Sequence, residues 1–220
     1  MSNRLLFVCA MNVCRSPLMA FTFAEALADD SDRTGWTVSS RGTGVTRKDS
    51  MCDVSASLIT GTDAGGSFAA THVSTPIVTS QLASQDMVLV ATRSERGKVA
   101  QLSPELRGRT FTVREAIALG RPSVTAAELD MLARSRTTNQ RVRLGGYPQL
   151  LHMRRGLVPM PIAPRPIPFL RRAQPDPLDI PDVHHEKMAR HQGMLKELQA
   201  EVRTLHVQIK DFLASRVSVG

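Results

Sequence analysis

The chain has 220 residues, 42% of them hydrophobic, and a net charge of +8. That is enough apolar material for one core with an extension; no apolar run approaches the length of a membrane span, and the N-terminus lacks the pattern of a secretory leader. Three cysteines, Cys9, Cys14 and Cys52, are too few for a disulfide scaffold, so the expectation is a cytoplasmic protein with reduced thiols and no membrane contact.

Leu5–Val8 is a short apolar run that reads as a buried strand. A loop follows, then Ser16 and Pro17, a good N-cap and a good first helical residue. The helix from Pro17 carries Leu18, Phe21 and Leu27 on one stripe, and the polar run from Asp29 to Gly35 ends it. Trp36–Ser40 alternates as a strand does, with Trp36 as a packing residue, and Gly42-Thr43-Gly44 closes it in a turn. Gly61–Gly66 reads as a glycine-bearing loop without the Lys-Ser/Thr tail of a nucleotide site. Met87–Ala91 is continuously apolar, as central parallel strands are, and a helix follows to about Leu102. Thr110–Val113 reads as a fourth strand and Arg114–Leu119 as a short helix. Strands alternating with helices predict an α/β fold, a three-layer αβα sandwich around a four-stranded parallel sheet.

The charge is concentrated. Residues 121–175 hold ten arginines against Glu128 and Asp130, with eight of the thirteen prolines, whereas the remainder balances at 18 basic and 18 acidic residues. A helix is expected around Thr125–Arg134, and beyond it the proline density favours extended, solvated chain. The whole of 1–220 therefore reads as one domain interrupted by a basic Pro/Arg-rich excursion over 121–175. That charge permits a nucleic-acid contact, but only Tyr147 and Phe169 are there to stack on bases, so none is expected. A final helix within 182–215, from about His184, carries Leu195, Leu198, Val202, Leu205, Ile209 and Phe212 at steps of 3, 4, 3, 4, 3, a seam for packing back on the core. His184, His185 and His191 lack zinc-ligand spacing and have no cysteine near them in the sequence; they read as solvated or capping residues.

The chemistry concentrates in the loop after the first strand. A loop that leads from a strand into a helix N-terminus turns its N–H groups inward and makes an anion cradle. Cys9 stands at its mouth, where the helix dipole and Arg15 favour a thiolate. Arg15 supplies a planar fork for two phosphate oxygens, and the Ser16 hydroxyl is placed to hydrogen-bond the sulfur.

Cys9-Ala10-Met11-Asn12-Val13-Cys14-Arg15-Ser16-Pro17 resembles the C-x-G-N-x-C-R-S-P loop of the low-molecular-weight protein tyrosine phosphatases, matching at Cys9, Asn12, Cys14, Arg15, Ser16 and Pro17. Met11 stands where that family usually has glycine. Gly42-Thr43-Gly44 is similar to the family's S-A-G-T turn beside the site, and the segment around Met87–Glu95 is similar to its third strand and the helix after it. The resemblance implies a phosphotyrosine phosphatase I-like fold with strand order 2-1-3-4. It also implies a phosphomonoester hydrolase that acts through a phosphocysteine on Cys9, with phosphate held by Arg15 and by Ala10, Met11, Asn12, Val13, Cys14 and Ser16. The substrate would be a phosphorylated protein or a small phosphomonoester, with no cofactor and no metal. Oxidative pairing of Cys9 with Cys14 is a further implication.

The family's general acid lies in a D-P pair before the last helix. Asp179-Ile180-Pro181-Asp182 resembles the bacterial D-I-x-D-P, with Val183 in place of the proline; Asp182 is the expected acid by its distance to the helix. Asp176, in Asp176-Pro177, and Asp179 are the alternatives. Val183, His184 and His185 stand where tyrosine phosphatases carry aromatic residues, which leaves phosphotyrosine preference less secure than hydrolysis. Two other readings stay open: a non-catalytic module that binds phosphorylated partners, and an arsenate reductase of the same fold, whose two further cysteines near the third strand are missing here.

Overall fold

The computed structural model describes residues 2–28, 35–134, 143–162 and 176–217. β1 (Asn3–Cys9), β2 (Trp36–Gly42), β3 (Met87–Val90) and β4 (Thr110–Thr112) form one parallel sheet in the order β2-β1-β3-β4. Strands β1 and β3 are apolar at successive positions because both of their faces are covered. Leu5, Phe7, Met87 and Leu89 enter one core, while Leu6, Val8, Val88 and Val90 enter the other with Leu82, Val99 and Leu106.

The first face is covered by α1 (Arg15–Ala28), α6 (Val113–Gly120) and α9 (Met188–Val217), the other by α5 (Arg93–Leu102). All six residues of the C-terminal seam are buried, and α9 lays them on α1 and α6. Trp36 packs on Phe23, ring centroids 5.5 Å apart. Short helices α2 (Asp53–Ser57), α3 (Asp63–Thr71) and α4 (Thr79–Leu82) fill the β2–β3 crossover.

Four expectations change. Helix α1 opens at Arg15, so Ser16 sits inside its first turn rather than capping it. The last helix begins at Met188, four residues later than expected, because turns occupy the chain from His184. The glycine-bearing stretch 61–66 is not a loop throughout: the Thr62 hydroxyl accepts from the Gly65 N–H and starts α3. Gly65 is there because a Cβ would lie 1.7 Å from the Ile59 carbonyl oxygen.

The fourth change concerns the excursion. Besides α7 (Ala126–Arg134), a helix α8 (Tyr147–Arg154) forms, and Leu144, Tyr147, Leu150 and Leu151 are fully or almost fully buried. Tyr147 is thus a core residue, 5.3 Å from Phe212 ring to ring, and cannot stack on a base; Phe169, like most of the proline-rich stretch, lies outside the described residues. Two of the excursion's arginines are structural. All five donors of Arg154 are used: Nε and Nη2 on both Glu128 oxygens at 2.6 and 2.9 Å, the rest on the carbonyls of Leu119, Pro122 and Ser123. Arg155 pairs with Glu115 at 3.0 Å, donates to the Arg107 and Thr110 carbonyls and lies 4.2 Å from the Phe111 ring centroid. One of the three carbonyls that Arg154 takes up, that of Leu119, lies in the last turn of α6, where the helix itself supplies no donor.

Hydrogen bonds from Arg154 hold the Glu128 carboxyl well below the usual carboxylate range, at about 2. A folded-state value below the unfolded one means stabilisation that is complete above the unfolded value of about 4.5 and lost as pH falls toward about 2. Arg154→Leu should cost about 3 kcal/mol at neutral pH by stranding Glu128. In urea unfolding at pH 7 and pH 3, the gap between wild type and variant should narrow in acid; a gap independent of pH would remove Glu128 ionisation from the account.

Candidate active site

The loop Ala10–Cys14 leaves β1 at the C-terminal edge of the sheet and delivers Arg15 into α1. Its curl depends on Asn12, which is 1% exposed and has φ of 55°. A side chain in that left-handed region costs on the order of 1 kcal/mol, less for asparagine than for most residues. The amide repays it: Nδ2 donates to Ser16 Oγ and Ser40 Oγ, both at 2.9 Å, and Oδ1 accepts from the Thr75 N–H at 2.9 Å. His72 Nε2 donates to the Asn12 carbonyl at 2.7 Å. Met11, at the family's glycine position, is not a positive-φ residue, and its side chain is 39% exposed at the cleft wall.

The turn at Gly42 closes the loop from the other side. Thr43 and Gly44 N–H donate to the carbonyls of Cys9 and Ala10 at 3.0 and 2.8 Å. A Cβ on Gly42 would lie 2.7 Å from the Ala10 oxygen and 2.9 Å from the Asn12 nitrogen, so only glycine permits this approach.

Inside this frame the Cys9 sulfur lies 3.1 Å from Ser16 Oγ and accepts from the Asn12 N–H at 3.3 Å. Arg15 is 4% exposed; Nη1 donates to the Ile180 carbonyl at 2.9 Å and Nη2 pairs with Asp182 Oδ2 at 2.7 Å. The Asp182 loop is itself pinned to the sheet edge: the Ile180 N–H donates to the Ala91 carbonyl at 2.9 Å, and Leu178, Ile180 and Val183 are buried. Cys9, Arg15 and Asp182 line one open cleft of about 520 Å³, with Met11, Val13, Arg47, Met51 and His185 among its walls. Among the described residues no Phe, Tyr or Trp lines it.

The three candidate aspartates separate cleanly. Asp176 pairs with Arg93 at 2.8 Å and accepts from the Leu178 N–H, and Asp179 accepts from the Arg93 N–H at the start of α5. Both hold the loop in place, and neither lines the cleft as Asp182 does.

The histidine reading needs correction. His185 is exposed, but His191 is 3% exposed and its Nε2 lies 3.0 Å from the Cys14 sulfur. Cys14, Cys52, His184 and His191 bring one ligand atom each within 4.8 Å of one another. The contact with Cys52, and burial after it, push the Cys14 thiol up, and the same contact brings the Cys52 thiol down. Burial lowers His191. No sequence signal tied Cys52, Ser40, His72 or Thr75 to the loop, because they reach it from β2, from the residue before α2 and from the segment after α3; the one available sign was polar residues at the ends of elements on the sheet's C-terminal edge.

A parallel α/β sheet with this cysteine-and-arginine cradle at its C-terminal edge defines a phosphomonoester hydrolase of the cysteine-dependent class. The sequence matches the family described as Low molecular weight phosphotyrosine protein phosphatase over residues 4–121, and the chain belongs to that family. No curated protein sequence matches. Among solved structures, a YwlE mutant from Bacillus subtilis is similar at 18% identity and TM-score 0.57, covering 95% of this chain and 99% of its own. A protein tyrosine phosphatase from Entamoeba histolytica is similar at 13% identity and TM-score 0.59, with 96% and 98% covered. The YwlE arginine phosphatase from Geobacillus stearothermophilus is similar at 16% and 0.57, with 97% and 96% covered. Among the described residues no helix is long and apolar enough to cross a membrane.

Asn12→Ala should destabilise the fold by about 2–4 kcal/mol, since it removes the hydrogen bonds to Ser16, Ser40 and Thr75 and keeps the left-handed backbone. Asn12→Gly loses the same hydrogen bonds but not the backbone permission, and should be about 1 kcal/mol more stable than the alanine variant. Thermal unfolding of both variants gives the comparison; equal stabilities would mean that the backbone at Asn12 is not strained.

Proposed function

We propose that Cys9 is the nucleophile, Arg15 and the loop N–H groups the phosphate clamp, and Asp182 the general acid. The observation that carries this reading is the Arg15–Asp182 pair at the mouth of the cleft that Cys9 lines. A phosphate dianion carries more charge than one carboxylate and matches the same guanidinium fork, so substrate displaces Asp182 from Arg15 as it seats. The freed carboxyl, 54% exposed at its side chain, takes up a proton and turns to the leaving oxygen. The Cys9 thiolate attacks phosphorus, the P–O ester bond breaks and Asp182 gives its proton to the leaving oxygen. Water then attacks the phosphocysteine, its proton passes to the Asp182 carboxylate, and the S–P bond breaks to release inorganic phosphate. Ser16 stabilises the departing thiolate through the contact already in place.

The substrate class is a phosphorylated protein or small phosphomonoester. Similar folds include proteins named as tyrosine and as arginine phosphatases; here the described walls of the cleft include methionine, histidine and arginine and no Phe, Tyr or Trp that would clamp a phosphotyrosine ring. A site built on free thiols suits a reducing, cytoplasmic compartment.

Cys9→Ser should abolish hydrolysis of para-nitrophenyl phosphate yet still bind vanadate, because the cradle remains; turnover in that variant would end the cysteine mechanism. Asp182→Ala should slow alkyl phosphates by about 100-fold or more while affecting aryl phosphates with good leaving groups far less. The same selective loss in Asp176→Ala, but not in Asp182→Ala, would reassign the acid.

A further inference from the structure

Beside the phosphate cradle lies a second cluster that the hydrolytic reaction does not use. Cys14 comes from the loop itself and Cys52 from the residue preceding α2, whose N–H donates to the Val13 carbonyl at 2.9 Å. His184 follows Asp182 by two residues, and His191 sits in the first turn of α9. From these four separate elements, one sulfur or ring nitrogen each converges within 4.8 Å of the others. A tetrahedral zinc ion with two sulfur and two nitrogen ligands has ligand–ligand edges of about 3.3–3.8 Å, from bond lengths of about 2.3 and 2.0–2.1 Å. The Cys14–His191 edge, at 3.0 Å, opens slightly to reach that range, and edges of up to 4.8 Å shorten by about 1–1.5 Å, a change that side-chain rotation supplies.

The donor set selects the ion. Two thiolates and two imidazoles suit zinc and its neighbours, whereas magnesium and calcium require oxygen. The Ser55 hydroxyl reaches the Cys14 sulfur at 3.7 Å, a contact of the kind that orients a metal ligand. The segment that bears His184 is fixed locally, since Asp182 Oδ1 accepts from the His184 backbone N–H at 3.2 Å.

We propose that Cys14, Cys52, His184 and His191 bind one zinc-class divalent ion, which fastens the phosphate loop to the segment that carries Asp182. On binding, the two thiols release their protons to solvent and no group changes oxidation state. Sheet-edge contacts hold the Asp182 segment as a whole, but Arg15, the group that substrate must capture, is its main tie to the phosphate loop; with the ion, His184 adds a second tie to that loop that persists after Asp182 lets go. Because Cys14 is then a ligand, the ion also withholds it from oxidative pairing with Cys9. Metal binding here is independent of turnover at Cys9, so its failure and that of the hydrolytic mechanism are separately visible.

The test titrates Co2+, then Zn2+, into the reduced, chelator-stripped full chain. One equivalent of Co2+ should give the intense visible bands of a tetrahedral site with thiolate charge transfer, and Zn2+ should bleach them. Cys52→Ser and His191→Asn should each weaken binding by at least about 100-fold, whereas Cys9→Ser should leave it unchanged. His184 is exposed, so His184→Asn keeps the fold and tests the site even where the other variants fail to fold; Zn2+ should raise the Tm of wild type and not of this variant. A pale octahedral spectrum, binding indifferent to His184→Asn, or binding lost in Cys9→Ser would overturn the proposal. So would a reduced protein that takes up no metal but readily forms a Cys14–Cys52 disulfide on oxidation.

Discussion

The left-handed backbone of Asn12 is the constraint on which the site depends. A five-residue loop cannot curl its N–H groups around one anion without such a reversal, and a residue other than glycine holds it only where its side chain is well satisfied. Asn12 has that satisfaction from three directions: Ser40 on β2, Thr75 beyond α3, and Ser16 in α1, with His72 on its carbonyl. The crossover between β2 and β3 is thereby tied to the loop through hydrogen bonds rather than through apolar packing. The missing Cβ of Gly42 lets the two backbones approach, and together these contacts aim Cys9 and Arg15 into one cleft.

The other half of the site arrives from 165 residues away along the chain. Arg15 donates to the Ile180 carbonyl, which follows directly from Ile180 pairing with Ala91 at the end of β3. The segment thus continues the sheet edge by one bridge and hands Asp182 to the same guanidinium. Arg114 donates to the Asp179 carbonyl and Arg93 pairs with Asp176, so a short stretch dense in acid and proline is held by three arginines, at the starts of α1, α5 and α6. One cation thereby pairs with Asp182 at the mouth of the cleft that Cys9 lines.

The excursion teaches a lesson about charge. By composition, residues 121–175 are a basic, proline-rich surface, yet Arg154 and Arg155 are the bolts that fasten α8 to α6 and to β4. A composition count treats every arginine alike, although one with all five donors satisfied beside a carboxylate contributes nothing to an outward electrostatic patch. Leu144, Leu150 and Leu151 were the legible counter-signal: three leucines amid arginines are more than a solvated strand has reason to carry.

The residues by themselves determined the sheet, the alternation and the cradle, because these rest on local rules: period, turn chemistry and a nine-residue motif in which backbone and side chains act within one loop. Strand order was legible only through resemblance to a family, since alternation alone leaves the order of parallel strands open. Tertiary structure decided what depends on distant pairs. It separated Asp182 from Asp176 and Asp179, which share a segment and a chemistry and differ only in where the sheet edge lets them point. It also gathered Cys14, Cys52, His184 and His191, whose spacing along the chain resembles no metal motif, because a ligand set is a property of distances in space and four elements meeting at one sheet edge can supply it from any order in the sequence.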